Sequence, residues 1–140
     1  MTPSQVQLVQ NSFQKVLPIS ELAAELFYRK LFELDPALRA LFKGDMKEQG
    51  RKLMTMLAAA VASLNAPDQL LPVAAALAQR HVSYGVQPQH FETVGAALLW
   101  TLEQGLGADF KPEVQVAWAE TYAFLSNYMI EAGWKNTATA

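Results

Sequence analysis

Apolar positions recur every three to four residues along most of the chain, and prolines and glycines cut that pattern into short blocks. This spacing predicts amphipathic helices. The sequence holds no strand-like alternation of useful length, no Asn-Gly or Asp-Gly hairpin signal and no internal repeat. The first block opens with Thr2 as N-cap and Pro3 at the first helical position, carries Val6, Val9, Phe13, Val16 and Leu17, and ends at Pro18. Ser20 is expected to cap the second, whose stripe is Ala23, Ala24, Phe27, Tyr28, Leu31, Phe32 and Leu34. Asp35-Pro36 restarts the chain as a short helical turn with Leu38, Leu41 and Phe42. After a break at Lys43-Gly44, Asp45 and Glu48 have the spacing of a capping box. The helix they open places Met46, Gln49, Gly50, Leu53, Leu57, Ala60, Val61 and Leu64 within an arc of ~120° at ~100° per residue. The next gathers Leu70, Val73, Ala74, Leu77, His81 and Tyr84 in a similar arc and stops at Gly85. Pro88 begins a helix with Phe91, Val94, Leu98, Thr101 and Leu102 inward. The last follows Lys111-Pro112 and holds Val114, Ala117, Trp118, Thr121, Tyr122, Leu125 and Met129. The pattern predicts an all-α domain of six substantial helices and one short one. It is read as a single domain over 1–140, with an ordered core of about 3–132 and fraying from Gly133 onward.

Composition narrows the functions. Apolar residues make up 51% of the 140 and charged residues 17%, so a packed core is expected. A net charge of −2 without a basic run lacks the electrostatic footprint of a nucleic-acid binder. The absence of cysteine excludes disulfide scaffolds, thiolate nucleophiles, iron–sulfur clusters and zinc–thiolate sites. The polar N-terminus has no apolar signal region, and no apolar run reaches the length of a membrane span. A soluble, cytoplasmic protein is the expectation.

Three members of the inward stripes are polar. His81 follows Leu77 by one turn, Gln49 precedes Leu53 by one turn, and Tyr28 precedes Phe32 by one turn. Each alone has a bland reading: a core histidine bonded to a carbonyl, an amide at a core boundary, an aromatic with its hydroxyl at the edge. A buried polar group nevertheless needs a partner. His81 has a carbonyl available at Leu77, which leaves its other ring nitrogen for a metal. One histidine cannot hold a bare ion tightly; it can hold a metal that arrives with four ligands already, as in haem. A phenol and an amide facing it are neutral donors that compete weakly for iron and can donate to a bound gas.

At these residues the chain resembles the globins along nearly its whole length, from about residue 5 to 132. It is most similar to single-domain bacterial globins related to flavohaemoglobins and, more distantly, to neuroglobin-like globins. The resemblance is carried by "LFYRKLFELDPALRALF" (26–42), "QGRKLM" (49–54), "QRHVSYGV" (79–86), "FETVGAALL" (91–99) and "AWAETYAFL" (117–125) in that order. It implies a globin fold, a 3-over-3 helical sandwich with a short segment after Phe42 and no extra helix before Gln49. It implies haem b held by His81 as proximal ligand, Phe42 wedged against the haem, and Tyr28 and Gln49 as distal residues. Leu53, Leu57, Leu77, Val86, Phe91, Val94 and Leu98 are then expected to line the pocket, and Lys52 (or Arg51) to reach a propionate. His90 is expected at the solvent. Many relatives of flavohaemoglobin type back the proximal histidine with a tyrosine and a glutamate. The matching positions here are Phe91 and Gly133, with Glu131 turned away by ~200° of helix rotation, so peroxidase-type chemistry is not expected.

The implied function is reversible binding of O2, CO and NO, with two distal donors giving slow O2 release and high affinity. An alternative is nitric oxide dioxygenase activity with an external reductase, since 140 residues leave no room for a flavin domain. A second is a haem-free globin-fold signalling module in which His81 is structural. The chain is expected to be a monomer or weak homodimer.

Overall fold

The computed structural model describes residues 2–135, and the described residues form helices joined by short turns. The six α-helices are α1 (Pro3–Val16), α2 (Ser20–Leu34), α3 (Met46–Ala62), α4 (Pro67–Ser83), α5 (His90–Leu106) and α6 (Pro112–Ile130). Short 3₁₀ turns at Leu17–Ile19, Pro36–Leu41 and Gly107–Asp109 link them, and a π-helical turn, Glu131–Lys135, follows α6. Residues 133–135, expected to fray, instead continue as helix, and residues 136–140, covered by the same expectation, lie outside the described residues.

Local signals at the helix ends decide most boundaries. Thr2 caps α1 and, with Gln5, completes a capping box. Asp45 caps α3 by accepting from the Lys47 N–H at 3.0 Å. Ser20 does not cap α2: it is the first helical residue, after Ile19 as N-cap. Pro88 falls in the turn before α5, which begins at His90. Gly85 ends α4 at φ +92, a conformation closed to most side chains.

Helices α1, α3 and α4 lie over α2, α5 and α6. The strongest contacts are α2 with α5, α1 with α6 and α2 with α3. The α2–α3 crossing is close because Gly50 faces Ala24: a Cβ at Gly50 would stand 3.0 Å from the Ala24 Cβ. The core includes Val9, Phe13, Phe27, Leu31, Leu102 and Trp118. Trp118 donates its indole N–H to Ser12 Oγ at 2.8 Å, so the buried indole is satisfied.

Helices α3 and α4 hardly meet, whereas α4 rests on α6 and on the π-helical turn. The packed face of α4 is Leu70, Ala74 and Ala78. That face is turned by roughly 50° from the stripe expected from apolar periodicity. Leu77 and His81 are half-buried, and Val73 and Tyr84 are exposed. On α3, Met46, Gln49, Leu53, Leu57 and Ala60 are half-buried, while Gly50 and Val61, and Leu64 just past its end, are buried as expected. Met46, Leu53, Leu57 and Ala60 pack against the edge of the core.

Candidate functional site

The candidate residues come from α2, the turn after it, α3 and α4. On the α2 side, Tyr28 is 7% exposed and sits in an aromatic cluster. Its ring meets Phe27 edge-on at 5.0 Å, stacks on Phe32 at 6.0 Å, and takes the Phe42 ring edge-on at 5.3 Å. Phe42 also meets Phe32 at 5.4 Å. The turn before it fixes its backbone: Asp35 caps that turn through the Ala37 N–H, and the Arg39 guanidinium donates to the Phe42 carbonyl at 2.8 Å while lying over Phe32. Arg39 was not singled out by the sequence pattern, because an exposed arginine on a short turn looks like solvated surface.

Gln49, on the first turns of α3, lies beside the Tyr28 phenol. Burial pushes the Tyr28 phenol above its ordinary value, and Gln49 offsets part of that rise. The phenol stays neutral at physiological pH.

On the opposite side His81 Nδ1 lies 2.7 Å from the Leu77 carbonyl, one turn back. With the proton on Nδ1, the lone pair of Nε2 is available; no hydrogen bond to Nε2 is present among the described residues. The His81 ring stacks on Phe91 at 6.4 Å and an interplanar angle of 30°. Val94 is half-buried, whereas Phe91 and Leu98 belong to the buried set. Val86, half-buried just past Gly85, donates its N–H to the His81 carbonyl. Lys52 is exposed on α3, and Arg51 is paired with Glu48 at 3.5 Å. His90 accepts from the Gln87 N–H through Nδ1 and takes part in the turn before α5.

At Gly133 there is no space for a longer side chain in this arrangement. A Cβ would meet Val82 Cγ2 at 3.0 Å and the Ala78 carbonyl oxygen at 3.2 Å. The residue beside Phe91 is instead Trp134, whose ring meets Phe91 edge-on at 5.4 Å. Trp134 escaped the sequence pattern because it follows Gly133 in a segment that resembles a tail.

The globin family model matches residues 25–129. The chain belongs to the globins. The curated relatives include flavohemoproteins, one of Chromobacterium violaceum, 33% identical over 81% of this chain and 30% of its own length, and one of Bordetella parapertussis, 36% identical over 74% and 27%. This globin thus spans about a third of the curated relatives it matches. Among solved structures it is similar to RmaNOD of Rhodothermus marinus in an engineered carbene-transferase form, provisionally designated a nitric oxide dioxygenase. That likeness has a TM-score of 0.88 at 27% identity and covers 99% of this chain and 97% of the other.

The residues fit the flat apolar cofactor that the family implies. A histidine with one ring nitrogen tied back and the other available suits a metal that brings its own four equatorial ligands. Leu53 and Leu57 on α3 and Leu77 on α4 are half-buried apolar side chains of the kind a planar macrocycle would cover. No cluster of three or more metal-ligating side chains exists among the described residues.

Proposed function

We propose that this globin holds haem b through His81 Nε2 and binds O2, CO and NO on the side of Tyr28 and Gln49. The observation that carries the reading is His81, tied at Nδ1 to the Leu77 carbonyl, with its ring stacked on Phe91 and no hydrogen bond to Nε2 among the described residues. Bound haem supplies an iron centre with one open coordination position for a diatomic gas.

The remaining work falls to the side chains. Leu77 orients the imidazole and fixes its tautomer. Phe42 wedges one edge of the haem pocket, and Leu53, Leu57, Leu77, Val86, Phe91, Val94 and Leu98 keep it apolar and dry. Lys52 reaches a propionate from the rim. Tyr28 donates to the gas ligand, with Gln49 assisting directly or through Tyr28. Such a bond in a dry pocket slows release of a ligand that carries partial negative charge and leaves CO less affected. Stopped-flow O2 dissociation in the native protein and in Tyr28→Phe tests this reading.

The family comparisons favour a second activity. Flavohemoprotein relatives and a structural neighbour designated a nitric oxide dioxygenase point to conversion of NO and O2, with one electron, to nitrate. The electron comes from a separate reductase. NO consumption by the haem-loaded chain with an added flavin reductase checks this reading.

A further inference from the structure

The proximal imidazole is held at only one atom by the helix that carries it. The Nδ1 bond to Leu77 leaves the ring plane free to swing about that contact. Two aromatic neighbours limit the swing. Tyr84 lies at 6.0 Å and is 60% exposed, so it is a poor restraint. Phe91 is the buried one, at 9% exposure, stacked on the imidazole.

Phe91 is itself fixed from two directions. Tyr122 donates its hydroxyl to the Phe91 carbonyl at 2.6 Å, which sets the backbone. Trp134 presses its ring edge-on to the Phe91 ring and donates its indole N–H to the Val86 carbonyl at 3.1 Å. Val86 in turn donates its backbone N–H to the His81 carbonyl at 3.1 Å. Trp134 therefore reaches His81 by two routes: ring on ring through Phe91, and backbone through Val86. The π-helical turn that presents it is anchored on α4. Gln79 donates to the Ala132 carbonyl at 2.8 Å, and Gly133 lies against Ala78 and Val82.

We propose that Trp134 is a positioning residue for the proximal ligand, clamping the His81 ring plane through Phe91 and Val86. This rests on the haem reading above. The chain thus uses hydrocarbon and indole surface to orient an imidazole whose Nδ1–H meets only a neutral carbonyl.

The test uses the full haem-loaded chain in its ferrous, ligand-free form, with the iron–histidine stretching band in resonance Raman as the readout. Trp134→Ala removes both routes. Trp134→Leu removes both while keeping apolar bulk, so that a folded variant is available. Each is expected to shift and broaden the band and to speed haem transfer to an acceptor apoprotein severalfold. A role in folding alone would lower the melting temperature of the apoprotein and leave the band in place. A band of native position and width in the folded variants overturns the proposal. Absence of the band from the unsubstituted protein overturns the haem reading, and this inference with it.

Discussion

Replacing Tyr28 by phenylalanine removes one oxygen from the distal wall and almost nothing else. The ring is 7% exposed and held by Phe27, Phe32 and Phe42, contacts that phenylalanine keeps. Gln49 beside it is only half-buried and can turn toward water. Apoprotein stability should therefore change by no more than about 1 kcal/mol. The lost donor to the gas ligand is the larger effect. A hydrogen bond to a charged acceptor is worth about 1.5–3 kcal/mol, which at about 1.4 kcal/mol per tenfold is roughly a 10- to 150-fold faster O2 release. CO release, with little charge on the ligand, should change far less. The assay is stopped-flow displacement of O2 by CO, run beside a CO-replacement measurement. An O2 off-rate that matches the native protein would refute the placement of Tyr28 as donor. An equal acceleration for O2 and CO would show a steric opening of the pocket instead.

Gln49→Leu should accelerate O2 release less than Tyr28→Phe, by about fivefold for one neutral hydrogen bond, because the phenol keeps its own O–H; the same stopped-flow experiment reads it. Gly95→Ala should destabilise by about 1–3 kcal/mol and lower the melting temperature, since its Cβ would stand 2.7 Å from Tyr122 Cε2 in a ring already bonded to Phe91. Burial raises the Tyr28 and Tyr122 phenols above the ordinary value of 10.0. Both contributions are complete below pH 10 and are lost above it, as the unfolded chain ionises first. Urea midpoints should fall from about pH 10 upward, with a shallower fall in Tyr122→Phe.

Most of the helices were legible because their signals are local. Tyr28 and Gln49 stand out as polar members of apolar stripes, and the fold brings them side by side. His81 was legible for the same reason, with its acceptor one turn back at Leu77. The packed face of α4 was not. Ala74 and Ala78 bury against α6 and the π-helical turn. Alanine carries too little surface to mark a face, so Val73 and Leu77 dominate the periodicity and turn it away from the packed face. The π-helical turn was illegible because Gly133 reads as a helix stop, whereas here glycine permits contact with α4 at Ala78 and Val82. The expected Asp45–Glu48 capping box is also altered: Asp45 caps, and Glu48 pairs with Arg51.

The absorption spectrum of the chain reconstituted with haem bears most directly on the whole account. Ferric, ferrous and ferrous–CO spectra should show a one-to-one Soret-absorbing complex with a histidine ligand. In His81→Gly that signature should be lost and then restored by added imidazole, which supplies the missing ring to the same place. A chain that stays colourless with excess haem, or a His81→Gly spectrum identical to the native one without imidazole, would contradict it.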